Sequence, residues 1–215
     1  GNDDWPRHNW YATRRRSPGE PFRFHSWDAE HVLKDLNINQ TSVNLGGSPT
    51  ELYTRLKANS EFKLLFADHV QRHFFGGGIL YVDPDNRAWD PAHPERNRPA
   101  DLYMRRIAEI DPAIVNESAR GGDVRRPGQP YTRDVEWMAE LNWLRTQYFP
   151  QRSTVVLNQL RSAGLYPTTG APILSRQGGE ISPGFALAMS LPAGSTGTIY
   201  YTTDGFDPRV YGSGE

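Results

Sequence analysis

The composition of this 215-residue chain changes abruptly after Pro167, and that break limits what the whole can fold into. Downstream, Gly, Ser, Thr and Pro dominate, with short β-prone runs at Ile173-Leu174, Phe185 to Leu191 and Thr198 to Thr203. About 45 residues remain there, whereas a closed two-sheet sandwich needs roughly 70 to 100. Residues 168–215 are therefore expected to be the start of a β-rich second domain whose sandwich stays incomplete.

Upstream of the break the hydrophobic period changes once. Trp10 to Arg15 and Phe22 to Trp27 alternate and are aromatic-rich, and Ser17-Pro18-Gly19-Glu20 between them has turn chemistry, so residues 10 to 27 are expected to form a β-hairpin. From Ser48 the pattern is helical. Ser48-Pro49-Thr50-Glu51 is a capping box with proline at the first helical position, predicting a short helix to about Ala58. Ser60 is expected to cap a second helix, in which Phe62, Leu65, Phe66, Val70 and Phe74 make one apolar stripe ending at Gly76-Gly77-Gly78.

Asp83 to Pro99 has no usable period and reads as a long surface loop. Helices are predicted over Ala100 to Arg120, interrupted at Asp111-Pro112, then over Asp134 to Phe149 and over Pro150 to Ala163. Val135, Met138, Leu141, Leu144 and Tyr148 would share a face of the middle one, and Gly164 would sit just past the end of the last.

A formal charge of -1 offers no uniform basic field for a polyphosphate backbone, which argues against non-specific nucleic-acid binding. The absence of cysteine excludes disulfides, thiolate nucleophiles and Cys-based metal sites. No run approaches the roughly 20 apolar residues of a membrane span. The first residue is Gly1 and no charged-then-apolar leader follows, so the expectation is a piece of a longer polypeptide with any targeting peptide outside it.

One constellation has the chemistry of a cation site. A hairpin centred near Pro18 sets residues equidistant from it opposite one another, so Asn9 faces Trp27 and neighbours Asp28. With Asp4 just upstream and Glu30 just beyond, oxygen side chains converge at the open end, as a hard cation such as Mg2+ requires. On pattern alone, Asp4 and Asn9 read more readily as turn or cap residues, and it is the hairpin closure that favours a site. His69 and His73, one helical turn apart, lack the adjacent glutamate of a zinc-protease helix and read as residues flanking the apolar stripe. Gly76-Gly77-Gly78 follows a helix and reads as its stop rather than a phosphate cradle. Arg120 and Asp123 are a possible ion pair or an ordinary surface bridge.

An Asp, an Asn five residues later, a short hairpin and a second Asp are also the parts of a protein-kinase catalytic loop. Asn2-Asp3-Asp4-Trp5, Asn9-Trp10-Tyr11 and Trp27-Asp28-Ala29-Glu30 together resemble the core of the CotH-type spore-coat family of atypical kinases. Glu117 to Asp123, Tyr131-Thr132-Arg133 with Trp137, Phe149 to Arg152, and Gly164 to Pro167 are similar to its bacterial multidomain members. The resemblance spans residues 1–167 and implies the helix-rich C-lobe of a protein-kinase-like fold with the hairpin at its catalytic loop. It makes Asp4 the catalytic base and Asn9, Asp28 and Glu30 metal ligands, Glu30 standing where the family signature carries aspartate. The implied activity is Mg-ATP-dependent phosphoryl transfer to a protein hydroxyl in a longer parent. The nucleotide-holding small lobe would precede Gly1, so these residues alone are expected to be inactive. The alternative is a non-catalytic, secreted surface or carbohydrate-associated scaffold that retains the kinase-like fold.

In the tail, Ala171-Pro172-Ile173, Gly178-Gly179 and Ile199 to Arg209 are similar to the immunoglobulin-like module that ends chitobiases and β-hexosaminidases. Its aspartates Asp204 and Asp207 read as turn formers. The module implies an extracellular or cell-surface location, with polysaccharide or the cell surface as a partner beside the protein substrate. The fold class expected overall is α+β.

Overall fold

A computed structural model describes residues 5–210 and residue 212, so Asp4, the expected base, lies outside the described residues. The fold is α+β, combining helices with two small antiparallel sheets. The chain forms two compact units, Gly1–Gln40 with His73–Asn158, and Thr41–Arg72 with Gln159–Glu215.

In the first unit, β1 (Trp10–Thr13) and β2 (Arg23–Ser26) pair with Trp10 opposite Ser26 and Thr13 opposite Arg23. This is the register expected from a turn at Pro18. The Trp27 N–H extends it by donating to the Asn9 carbonyl at 3.1 Å. Gly19 closes the turn at φ +79°, where proline before it and glycine's freedom suit a type II geometry. Both strands are shorter than expected, because a lone two-stranded ribbon has no third strand or helix to hold its outer residues. Tyr11 stacks on His25 at 4.8 Å while Phe22, Phe24 and Trp27 remain exposed.

The expected 83–99 loop is tied at its base, since Asp83 donates to the Arg96 carbonyl at 2.7 Å and Arg98 to the Tyr81 carbonyl at 3.0 Å. Asn97, fully buried, serves both sides of the tie. Its amide donates to the Arg87 carbonyl at 2.7 Å, and its Oδ1 accepts from the Ala100 N–H at 3.1 Å, capping the next helix. That helix, α3 (Arg98–Gly121), runs through Pro112 without the expected interruption. Proline deletes one intrahelical donor, the partner of the Ala108 carbonyl, but the remaining ladder carries the helix past it.

The helical run from Arg133 to Ser162 is continuous where two helices were expected. A wide π segment (Arg133–Trp137) leads into α4 (Met138–Trp143), and a second (Leu144–Tyr148) leads into α5 (Phe149–Ser162). The second ends just before Pro150, whose missing N–H an α-turn would have needed. Wide turns also shift the phase of the helix. Leu141, Leu144 and Tyr148 are buried as expected, but Val135 and Met138 are exposed, because the first π segment takes them off the 3.6-residue stripe. Leu144, Tyr148, Phe149 and Ala100 form the core, with Leu33, Leu36, Trp89 and Tyr103 packed on it. The Arg152 guanidinium reaches back to accept nothing and donate twice, to the carbonyls of Leu36 at 2.5 Å and Ile38 at 2.9 Å.

In the second unit, α1 (Pro49–Leu56) starts from the expected cap, Ser48 Oγ accepting from the Thr50 N–H at 3.2 Å. Glu51 reaches one residue further back than in a simple box, accepting from the Gly47 N–H at 2.8 Å, which together with Arg55 holds its carboxyl below the usual range. For α2 (Ser60–Phe74) the cap is Asn59 rather than Ser60, its Oδ1 taking the Phe62 N–H at 2.9 Å. Leu65 is exposed although it was expected in the apolar stripe. Gly164, at φ +65°, ends α5 as expected. The N–H groups of Gly164 and Leu165 donate to the carbonyls of Arg161 and Leu160, at 3.0 and 2.9 Å, and Leu160 and Leu165 are both buried, the Schellman arrangement.

The tail is sparsely paired. β3 (Ile173–Leu174) and β4 (Met189–Ser190) face each other for two residues each. The run 198–203 is not a strand, and Tyr200 and Tyr201 are exposed, because β propensity is realised only against a partner strand. Asp204 and Asp207 are turn formers, accepting from the N–H groups of Phe206 at 3.1 Å and Arg209 at 2.9 Å.

Candidate functional site

Asn9 is 1 % exposed, which is rare for an amide outside a helix cap and demands partners. The hairpin register supplies one by bringing Asp28 beside it, and the Asn9 Nδ2 donates to the Asp28 carbonyl at 3.5 Å. Asp28 itself is exposed and adopts φ +52°, a left-handed conformation that aspartate tolerates better than most residues. Leu33, at φ +64°, has no such tolerance, so the segment after β2 holds local strain against the packing of Leu33 on the core. Asn9 and Asp28 are thus neighbours, as the turn symmetry predicts.

Glu30 is exposed, and its carboxylate lies 3.3 Å from His31 Nε2. His31 is in turn contacted through Nδ1 by Lys34 at 2.5 Å. Glu30 is therefore engaged with His31 rather than seen against Asn9. Among the described residues no group of three or more His, Cys, Asp or Glu side chains is placed to hold a metal ion. His69 and His73 are exposed on α2 and belong to no such group. Arg120 reaches Glu117 at 3.9 Å, an exposed pair on α3 of little energetic weight.

The motif residues further along the chain assemble a corner. Tyr131 donates to the Gly122 carbonyl at 2.9 Å, and a Cβ on Gly122 would collide with the carbonyl oxygens of Tyr131 and Ser118, so only glycine fits there. Thr132 caps the following helix, its Oγ1 accepting from the Val135 N–H at 3.3 Å, while Glu136 accepts from the Thr132 N–H at 2.8 Å. That backbone bond, with Thr132 Oγ1 and Arg126, holds the Glu136 carboxyl below its ordinary range. Arg126 also lies over the Tyr131 ring, 4.5 Å from its centre. A pocket of about 720 Å³ opens at this corner, walled by Ile114, Gly121, Tyr131, Trp137 and Ala139.

Arg133 follows directly and grips Asp111 with both arms, at 3.0 and 2.5 Å, and this bidentate pairing keeps the Asp111 carboxyl below its usual range. The pair borders a second pocket of about 560 Å³ that also takes in Trp89 and Asp101. Sequence reading missed Trp89, Asn97 and Asp101. The signal for Asn97 was present: Asn followed by Arg98-Pro99-Ala100 is an N-cap with proline in the first turn. Nothing local marks Trp89 or Asp101, whose roles come from packing. No family model, no curated protein and no solved structure matches the chain.

Proposed function

We propose that this chain supplies the helical lobe of a CotH-type atypical kinase, which transfers phosphate from Mg-ATP to a protein hydroxyl. The observation that carries the reading is the hairpin register, which sets the Asn9 amide on Asp28 across nineteen positions of sequence. In this reading Asp4 takes the proton of the acceptor hydroxyl, Asn9 anchors the loop between them, and Asp28 presents its carboxylate outward. The donor set fits the cation, because Asn9 and Asp28 offer only hard oxygen side-chain acceptors. Glu30 joins them only by leaving His31. Mg2+ held there neutralises charge on the phosphates being transferred. The tail's likeness to an immunoglobulin-like module supports placing the protein outside the cell, near polysaccharide.

Manganese, which is paramagnetic and replaces magnesium at oxygen sites, gives the test. The chain should bind Mn2+ by electron paramagnetic resonance, and Asp28→Asn, which keeps the left-handed backbone, should weaken binding at least about tenfold, the loss of one charged ligand. Asp28→Asn should equally abolish Mg-dependent labelling by radioactive ATP in the full-length protein. Equal Mn2+ binding by both chains would refute the site, and a metal-binding but unlabelled full-length protein would favour a scaffold that kept the fold.

A further inference from the structure

The β1–β2 ribbon has two outer edges, and among the described residues no strand pairs with either. The ladder fixes which backbone groups face out. Because the Trp27 N–H bonds the Asn9 carbonyl, the pairs Tyr11–His25 and Thr13–Arg23 bond inward. The N–H and C=O groups of Phe24 and Ser26 therefore point away from β1, and both residues are exposed. On β1 the outward groups are those of Trp10 and Ala12, and Trp10 is half-buried, so β2 presents the more open edge. Such an edge is a template for one more strand.

Side chains along that edge alternate in chemistry as well as in direction. Phe22 and Phe24, 60 % and 44 % exposed, lie on one face, where Phe24 meets Trp10 at 6.2 Å and Phe22 lies under Arg14 at 5.4 Å. Arg23 and His25 lie on the other, with His25 stacked on Tyr11. At the turn Arg14, Arg15 and Arg16 run consecutively, and none of these four exposed arginines pairs with a carboxylate among the described residues. Elsewhere in the first unit arginines are engaged, Arg106 with Glu109, Arg126 with Glu136 and Arg133 with Asp111. The unpaired guanidiniums match carboxylates on a partner, and the bare phenylalanines match apolar side chains. A second copy fits badly, because edge-to-edge pairing would bring the arginines together. A nucleic-acid strand fits the charge but not the edge, since its phosphodiester backbone accepts hydrogen bonds and donates none to the outward carbonyls.

We infer that the β2 edge is a docking site for an extended acidic peptide, which adds antiparallel to it as a third strand. A strand's side chains alternate between faces, so the peptide sets apolar residues beside Phe22 and Phe24 and carboxylates beside Arg23 and the arginine turn. Its own N–H and C=O groups bond those of Phe24 and Ser26. The site uses none of the side chains of Asp4, Asn9, Asp28 or Glu30, and it holds whether or not the protein transfers phosphate.

The test is amide nuclear magnetic resonance of the whole chain, with acetyl-Val-Glu-Val-Glu-Val-Glu-amide as the probe at low ionic strength. The peptide should shift the Phe24 and Ser26 N–H signals saturably and slow their exchange with solvent, as new strand bonds require. Methylating the valine nitrogens of the peptide keeps every side chain but removes the donors, and should weaken binding at least about fivefold. Arg15→Gln combined with Arg16→Gln removes two exposed charges and should weaken binding about threefold to tenfold, while the Tyr11 and His25 signals stay in place. Added salt should weaken it as well. If the peptide leaves Phe24 and Ser26 unmoved, the inference is overturned. It is equally overturned if the N-methylated peptide or a counterpart with lysine for glutamate binds as well, or if a single-stranded thymidine hexamer protects the same two amides.

Discussion

Replacing Asn97 by alanine should loosen the first unit more than any other single truncation of a polar side chain there. Two bonds disappear at once. Loss of the cap on the Ala100 N–H costs about 1 kcal/mol. The Arg87 carbonyl, half-covered, is left without its 2.7 Å donor and adds about 1–2 kcal/mol. The sum, about 2–3 kcal/mol, corresponds to a fall in Tm of roughly 4–12 °C for a chain of this length. All six tryptophans lie in the first unit, so urea unfolding followed by their fluorescence reports that unit alone. Asn97→Asp keeps an acceptor for Ala100 but not the donor for Arg87, and should recover about 1 kcal/mol of the loss. A cost for Asn97→Ala below about 1 kcal/mol, or an aspartate variant no better than alanine, would show that the tie at the base of the loop holds without this side chain.

Three further outcomes follow from the same structure. The Asp111 carboxyl, held low by Arg133, should titrate below an ordinary aspartate in carbon-detected NMR; because its folded pKa is depressed, the pairing stabilises the fold above the unfolded value near 3.9, and that support is lost as pH falls through the folded value. Arg133→Met should return the midpoint to the ordinary range. Gly122→Ala should cost about 1–3 kcal/mol in urea unfolding, since its Cβ meets two backbone oxygens that cannot rotate away. In hydrogen exchange, amides of residues 170–210 should exchange faster than those of α5, because β3 and β4 pair over only two residues each; equal protection would show that the tail is closed by other bonds.

What the amino-acid sequence disclosed was whatever is decided within a few residues. The type II turn at Pro18-Gly19 sets the register by itself, so the neighbourhood of Asn9 and Asp28 was legible before any coordinates. The caps at Ser48 and Gly164 were legible for the same reason. What was not legible depends on distant partners. Pro112 looks like a break until the rest of α3 is seen to carry it, and Val135 and Met138 look buried until a π segment shifts their phase. The strand expected at 198–203 is not formed, because among the described residues no strand pairs with it. In the candidate site, Glu30 was read by its proximity in sequence, yet the structure spends its carboxylate on His31.

The bonds from Arg152 to Leu36 and Ile38 have a consequence for how the chain is made. They join residues 116 and 114 positions apart. A hairpin such as β1–β2 forms in about 1–10 μs once its residues are free. At about 5–20 residues per second, the ribosome needs roughly 6–23 s more before Arg152 exists to hold the segment that follows it. Throughout that interval Leu33 and Leu36 have no Tyr148 or Phe149 to pack on. The nascent chain therefore carries an apolar, unclamped stretch for seconds, a window in which a chaperone can bind Leu33 and Leu36 before the core half-buries them.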